Sequence, residues 1–552
     1  MASADGQEWI QRISPEVSEE QLLTALGDDF LAYVCATEPS TLRGFAEGDT
    51  SALTDPQREA FLAAIVLAQR FSLWRRPNAS NDDRVPPDGQ LYEPLVFSFG
   101  QFCAFTESGE TSARALRRSA GGELRALPEP DADPVLSALV WLARDLWPYL
   151  LLPRDAAVSG IGLLSGAGAA AFNHPAQPAL REGVRHEREP LRRLFSGLDD
   201  ELAPSKSIWS TSGRGGSVQL VLLGEQLIEG AARLAGWSAV PDEEQFFAAL
   251  EDQLRVVRQL ARGGRVDVPA TVGLTGLRLR EGTELFATPV GTLREASNES
   301  WPGPRDHDSE ATVALDTTFP LRYTIGDREL SADPPTKFWQ SWRELDRRVD
   351  RLRLALLLAD GVTRPPLRVV SIEVHDPLFR AASFRRSPGF SFPTELAVAA
   401  EADILRWARE IEAHFAEPIS LAVRRTLSAA DPAREPEDAL VDAVIALESL
   451  FGTGETEVGF RLSTAVAFLF GRTAHERRAL HKEVGDLYSV RSNLVHGKHF
   501  DDRAALDRYR RRAVELALDS LKLLLSTHHH LIPNNARGKA VILAAGELPA
   551  SS

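Results

Sequence analysis

An arginine and a histidine five positions apart form the strongest chemical signal in this sequence. Arg491 and His496 lie in the segment 487–498, which reads LYSVRSNLVHGK. A guanidinium binds a phosphate through paired N–H donors, and an imidazole gains and loses protons near neutral pH. These two side chains together suit the cleavage of a phosphodiester bond.

The spacing between the two residues is not specific by itself. It recurs in this chain at Arg181 and His186, and again at Arg409 and His414. The pair at 491 and 496 differs from these in standing at the end of an amphipathic helix, after a tyrosine and before a glycine. The prediction therefore rests on the local sequence and not on the spacing.

Residues 474–496 are predicted to form a helix that buries one face. Leu487, Val490 and Leu494 recur at helical spacing and should form its apolar stripe. Gly497 stands where a left-handed residue commonly ends a helix, so His496 should lie beside carbonyl groups that lack helical partners. Those carbonyls favour a protonated imidazole. The polar side chains on the opposite side are Ser489, Ser492, Asn493 and His496.

A second helix, predicted over 437–451, carries a carboxylate close to its apolar stripe. The stripe is formed by Leu440, Val444, Leu447 and Phe451. Glu448 lies within the angular spread of that stripe, and a buried carboxylate must be paired. Arg461 and Arg491 are the candidate partners. The pair is either a structural link of the bundle or a device by which Glu448 orients Arg491.

Residues 437–500 resemble the Apea-like branch of the HEPN (higher eukaryotes and prokaryotes nucleotide-binding) domains. The matching segments are ALESLF at 446–451, FRL at 460–462 and LYSVRSNLVHG at 487–497. The resemblance implies a helical bundle and a metal-independent ribonuclease of antiphage or toxin–antitoxin systems, without a cofactor. Its arginine–histidine signature transfers to Arg491 and His496. The family often has Asn, Asp or His after the arginine, where this chain has Ser492.

RNA would supply half of the reaction, because its 2′-hydroxyl is the attacking group. His496 would transfer protons and Arg491 would stabilise charge on the phosphate. Side chains five positions apart point roughly 140° away from each other around a helix. A single copy therefore directs the two groups poorly towards one phosphate. A homodimer with a composite site, which the resemblance also implies, would join them. The predicted substrate-binding residues are Asn493, Ser492 and Lys498, and the supporting residues are Glu448, Arg461 and Tyr488.

The alternative is a non-catalytic HEPN module that binds nucleotide or RNA or serves in assembly. The net charge of −16 excludes a surface coated for general nucleic-acid binding, so RNA must use a local basic patch. One candidate is a group of arginines around Tyr509, which is equally well explained as a solvated face. These arginines are Arg503, Arg508, Arg510, Arg511 and Arg512.

The composition indicates a soluble globular protein with a reducing, cytoplasmic location. Only two cysteines, Cys35 and Cys103, occur in 552 residues, which is too few for a disulfide framework. The first residues lack the pattern of a signal peptide, and the uncharged run 156–174 is too weakly apolar for a membrane span. RNA is the expected partner, with a phage-derived trigger or an antitoxin as further candidates, and no membrane.

The predicted fold class is α+β and mostly α. Residues 1–330 should form a mixed, mainly helical region with a small β subdomain at about 266–326. Residues 336–531 should form an up-and-down helical domain with a HEPN core at about 395–527, and 532–552 a disordered tail. Other predicted elements are helices from 21 onward and at 55–74, 133–152, 218–235, 242–262 and 338–359, a strand pair in 92–105, a loop-like stretch at 173–207 and a frayed helix end at 528–530.

Overall fold

The mainly helical α+β class is confirmed by a computed structural model of the chain. The structure describes residues 26–49, 51–70, 72–73, 96–97, 110–130, 132–151, 174–187, 190–195, 204–235, 242–281, 285–296, 311–326, 336–359, 367–379, 382–385, 394–395, 398–431, 434–452, 457–498, 500 and 502–543. No helix within these ranges is long and apolar enough to cross a membrane.

Helices dominate the first half of the chain and pack around the rings of Trp147, Phe246 and Phe247. These rings lie on the predicted helices at 133–152 and 242–262, which are confirmed. The helices are α1 (Asp28–Val34), α2 (Pro39–Ala46), α3 (Asp55–Arg70), α4 (Ser112–Ser119), α5 (Pro134–Leu150), α6 (Ala176–His186), α7 (Leu220–Leu234) and α8 (Glu243–Ala261).

Two predictions in this half need correction. The helix predicted to reach residue 74 ends at Arg70, because Ser72–Leu73 (β1) instead pairs with Val96–Phe97 (β2). The rest of the strand pair predicted in 92–105 lies outside the described residues. The stretch 173–207, predicted as a loop, contains α6, because Leu180 and Val184 recur at helical spacing and are fully buried.

Strands occupy 266–326, where the sequence indicated a small β subdomain, and their sheet extends beyond that range. Its longest pairing is antiparallel, between β5 (Val266–Thr275) and β9 (Val313–Leu321). The six-stranded sheet runs β12-β11-β5-β9-β8-β7, and a three-stranded sheet runs β10-β3-β4. The remaining strands are β3 (Pro204–Ser210), β4 (Gly215–Gln219), β6 (Leu277–Arg278), β7 (Phe286–Thr288), β8 (Gly291–Glu295), β10 (Tyr323–Gly326), β11 (Arg368–Val374), β12 (Ala382–Arg385) and β13 (Thr394–Glu395).

The sheet crosses the predicted boundary between the two regions. The boundary itself, 331–335, lies outside the described residues, and the helix after it is confirmed as α9 (Thr336–Leu358). The helical domain predicted over 336–531 also contains strands, because β11 and β12 extend the sheet beside β5. Alternate burial along β11, with Ile372 and Val374 inside, explains why this segment is a strand.

A buried carboxylate ties the two sheets together. Asp376, just after β11, accepts hydrogen bonds from Ser212 at 3.0 Å and from Tyr323 at 2.6 Å, and Ser210 also donates to it. Burial raises the pKa of Asp376, and these hydrogen bonds oppose the rise. Because both oxygens of the carboxylate are occupied, the cluster is a structural link.

The last part of the chain is a set of packed helices. The five helices predicted after residue 395 are present, and two further helices, α11 and α16, were not predicted. The helices are α10 (Val398–His414), α11 (Ser420–Ala429), α12 (Pro436–Phe451), α13 (Val458–Phe470), α14 (Ala474–Val495), α15 (Arg503–Ser526) and α16 (Arg537–Leu543). Helix α12 packs on α11, α13, α14, α15 and α16 and is therefore the centre of the bundle.

The prediction of a disordered tail from residue 532 is wrong for residues 532–543. Ile532 and Val541 are fully buried, and α16 packs on α12 and α13. Gly538 lies so close to α12 that an added Cβ would stand 2.0 Å from the carbonyl oxygen of Phe451. A side chain at this position would push α16 away from the bundle.

Cys35 should resist alkylation in the folded protein. It is fully buried, and burial raises the pKa of its thiol to about 12. At pH 8 the reactive thiolate should be on the order of one part in ten thousand. Mass spectrometry of the tryptic peptide after iodoacetamide treatment should show labelling of Cys35 only when denaturant is added. Rapid labelling without denaturant would contradict this burial. Cys103 lies outside the described residues.

Candidate functional site

Helix α14 begins with a complete capping arrangement. Thr473 accepts a hydrogen bond from the backbone N–H of Glu476 at 3.2 Å, and the Glu476 carboxylate accepts one from the backbone N–H of Thr473 at 3.0 Å. These two bonds satisfy donors that a helix start otherwise leaves without partners. The start of α14 is therefore fixed by its own sequence.

The end of α14 is fixed as well, by the glycine that the sequence analysis singled out. Gly497 has a φ of +75°, a left-handed conformation that L side chains rarely adopt. Its N–H donates to the carbonyl of Leu494 at 3.0 Å, and the N–H of Lys498 donates to that of Asn493 at 3.0 Å. This pair of bonds is the Schellman motif, which confirms the predicted helix end.

His496 stands at this turn as the last residue before the glycine. Its side chain is exposed, and its backbone N–H donates to the carbonyl of Ser492 at 3.1 Å. Two other predicted substrate-binding residues lie at the same turn, where the Lys498 ammonium donates to the Asn493 side chain at 3.0 Å. Ser492 is half-buried. The turn thus presents an imidazole and an ammonium to solvent on a fixed backbone.

The opposite side of α14 faces the bundle. Val484, Leu487 and Val490 are buried, as helical spacing predicts, whereas Leu494 is only half-buried. Val495 is 55% exposed, because the helix ends beyond the edge of the core.

Arg491 points to α12 and meets the predicted carboxylate. One of its terminal nitrogens lies 3.4 Å from a Glu448 oxygen, and the side chains are 23% and 19% exposed. The guanidinium carbon also lies 5.9 Å from the centre of the Tyr488 ring. Burial raises the pKa of Glu448, and the positive charge of Arg491 opposes that rise. Arg461, the other predicted partner, is half-buried on α13.

Within one chain, the proposed catalytic pair is divided between two environments. Arg491 is half-buried against Glu448, whereas His496 faces solvent at the helix end. This agrees with the large angle expected between positions five residues apart on a helix. One copy therefore does not present both groups to the same phosphate in this conformation.

Two exposed apolar side chains of α13 and α14 were not predicted from the sequence. Phe460, at the start of α13, is 61% exposed, and its ring centre lies 5.3 Å from that of His481. Val495 is the second. The absence of a Cβ at Gly459 lets α13 approach the Tyr488 ring, since an added Cβ would lie 2.8 Å from it. Periodicity alone does not reveal that Phe460 points outward, because its neighbours are also apolar.

The arginine group on α15 is mostly engaged with carboxylates. Arg510 and Arg511 contact Asp507 at 2.9 and 3.2 Å, and Arg512 contacts Glu483 at 2.9 Å. Arg503 lies 3.8 Å from a Glu435 oxygen, and Arg508 is exposed. These pairs favour the interpretation of a solvated charged face over that of an RNA-binding patch.

Of the three consecutive histidines, His528 is buried and His529 and His530 are exposed, and a short ordered turn stands where a frayed helix end was predicted. His528 is buried, and burial lowers its pKa. His529 stacks on His414 of α10, with ring centres 4.2 Å apart. Leu531, in the same short 3₁₀ turn (His529–Leu531), is also buried and anchors the segment. Among the described residues, no group of histidine, cysteine and carboxylate side chains could hold a metal ion.

No family model, no curated protein and no solved structure matches this chain. The likeness of residues 437–500 to HEPN domains therefore rests on their sequence segments alone.

Proposed function

We propose that this protein is a metal-independent endoribonuclease of HEPN type, acting in defence against phage or in toxin-like growth arrest. The observation that supports this best is the exposed imidazole of His496 on a fixed helix end, with Lys498 and Asn493 at the same turn. A general acid or base must reach its substrate, and a phosphate attracts an ammonium group.

The proposed reaction uses the ribose 2′-oxygen as the nucleophile. The 2′-oxygen attacks the adjacent phosphorus, the bond from phosphorus to the 5′-oxygen breaks, and the products are a 2′,3′-cyclic phosphate and a 5′-hydroxyl. An imidazole at position 496 takes the 2′-OH proton or supplies one to the 5′-oxygen. Arg491 stabilises the negative charge that grows on the non-bridging phosphate oxygens. Asn493, Ser492 and Lys498 bind the ribose and phosphate around the cleaved bond.

The proposed active form is a homodimer with two composite sites. Across a two-fold axis, each Arg491 would meet the His496 of the other copy, which removes the geometric conflict within one helix. The exposed Phe460 of α13 and Val495 of α14 suit burial between two copies. Residues 1–330 would then respond to a phage-derived trigger or bind an antitoxin.

Mixing two inactive variants should restore activity if the sites are composite. Arg491→Ala and His496→Ala homodimers should each be inactive, whereas a mixed dimer keeps one intact site, formed by the arginine of one copy and the histidine of the other. After subunit exchange at equal amounts, cleavage of labelled RNA should reach about a quarter of the wild-type rate per chain.

Two controls accompany this mixture. Co-purification of two differently tagged variants reports whether exchange takes place, and the Arg491→Ala/His496→Ala double variant mixed with either single variant should stay inactive. No recovery in the first mixture, despite proven exchange, would contradict composite sites. A wild-type chain that leaves every RNA intact with its trigger present would contradict the nuclease itself.

One observation favours a second candidate function, a non-catalytic HEPN module that binds nucleotide or RNA or serves in assembly. Arg491 is engaged by Glu448, while His496 faces solvent at the helix end. RNA binding without cleavage, unchanged by His496→Ala, is the result expected of such a module. Cleavage that depends on His496 is expected only of the nuclease.

A further inference from the structure

The ion pair between Arg491 and Glu448 differs in quality from other arginine–carboxylate pairs of this chain. Arg258 binds Asp133 through two nitrogens at 2.7 and 2.9 Å, and Arg512 binds Glu483 through two at 2.9 and 3.2 Å. Arg491 makes a single contact, at 3.4 Å. Paired hydrogen bonds give such contacts their strength and direction, so this one is comparatively weak.

The Arg491 guanidinium also has unused hydrogen-bonding capacity. Its Nε is buried and has no hydrogen-bond partner among the described residues. Leaving a buried donor without an acceptor costs free energy, more so when the donor is charged. An acceptor with two oxygens that reached both Nε and a terminal nitrogen would satisfy the arginine better than Glu448 does.

We propose that Glu448 competes with phosphodiesters for the guanidinium of Arg491. Its carboxylate pairs with the arginine while no ligand is bound and is displaced when a phosphodiester binds. The inference rests on the proposed function, which identifies RNA as the source of the phosphodiester. A phosphodiester carries two non-bridging oxygens, which can accept two parallel hydrogen bonds from the guanidinium. In this proposal the Glu448 carboxylate lowers the affinity for RNA. A carboxylate that positioned Arg491 for RNA would instead raise that affinity.

The competition follows from charge as well as geometry. Glu448 and a phosphate are both anions, and only one of them can take the favourable place at the guanidinium without strong repulsion. Glu448 lies in the last turn of α12, where the helix end is itself negative. Binding of a phosphate must therefore displace this carboxylate towards water, and the free-energy cost of this displacement lowers the affinity for the phosphate.

Glu448→Gln tests the competition, because it keeps the shape of the side chain and removes its charge. The probe is a fully 2′-O-methylated RNA oligonucleotide, which lacks the 2′-hydroxyl nucleophile and is not cleaved. Fluorescence anisotropy at fixed ionic strength should show binding roughly three- to tenfold tighter than that of wild type. Glu483→Gln is the matched control, since it removes the same charge from a carboxylate paired with Arg512 and should change binding less than Glu448→Gln does.

A double variant locates the effect and a melting curve checks the fold. In the Arg491→Ala background, Glu448→Gln should no longer tighten binding, and circular dichroism should show that the single variant melts cooperatively like wild type. Weaker or unchanged binding by Glu448→Gln, a gain that survives without Arg491, or no probe binding by any variant would each overturn the competition. Because the probe is not cleaved, a failure of the nuclease proposal appears separately, as intact natural RNA.

Discussion

His496→Ala is expected to lower the rate of RNA cleavage by about 10²- to 10⁴-fold, the usual contribution of a positioned general acid or base. The physical reason is that His496 carries the only imidazole among the described residues of this helix end, and imidazole is the side chain that exchanges protons near neutral pH. Lys498 and Asn493 share the turn, where they can bind substrate but offer no imidazole. The measurement is the initial rate on labelled RNA, with the trigger present if one is required.

His475→Ala provides the matched control on the same helix. His475 is also exposed on α14, in its first turn and far along the helix from position 496. It should keep wild-type activity, so that a loss seen only at 496 reflects its place in the site. Equal rates for His496→Ala and wild type would refute the proposed role of the imidazole.

Arg537→Ala is expected to destabilise the folded chain by about 3–5 kcal/mol, a large effect for one substitution. The Arg537 side chain is 3% exposed, and burial lowers its pKa. Its nitrogens donate to backbone carbonyls and not to a carboxylate. The acceptors are Leu450 and Ser449 at 2.9 Å, Ile532 at 2.9 Å, Asn534 at 3.0 Å and Pro418 at 3.1 Å. Alanine would leave these buried carbonyl groups without their donor.

Arg503→Ala is the control for this second substitution. Arg503 is an exposed arginine of the same bundle, with one long contact to Glu435, so its loss should change stability by less than about 1 kcal/mol. Urea denaturation followed by circular dichroism gives both free energies of unfolding. A loss at Arg537 no larger than that at Arg503 would contradict the bonding described for the buried guanidinium.

The long amphipathic helices of the bundle could be predicted from sequence because their apolar spacing is sustained over several turns. The end of α14 was also predictable, since Gly497 is the residue type that a left-handed turn requires. Helix α11 was not predicted. It is short, and Arg424 and Arg425 interrupt its apolar pattern. Helix α16 was missed because its buried anchor, Arg537, belongs to a residue type that usually stands on the surface.

The candidate site was predictable in its residues but not in its environment. The place of Glu448 near an apolar stripe indicated an ion pair, and Arg491 was one of two possible partners. The single long contact between them depends on how α12 and α14 pack, which local spacing does not specify. The cluster around Asp376 was unpredictable for the same reason, since Tyr323 lies 53 positions away in the sequence.

The capping of α12 by Arg537 has a consequence for the order in which the molecule is made. The Leu450 carbonyl receives its donor from a residue 87 positions later in the chain. During translation, the last turn of α12 therefore emerges from the ribosome long before the guanidinium that completes it. Glu448 belongs to that turn. Until Arg537 is in place, the contact of Glu448 with Arg491 therefore lies on a helix end whose carbonyl groups lack their donor. A newly made chain would thus complete its site only after the segment around residue 537 has been synthesised.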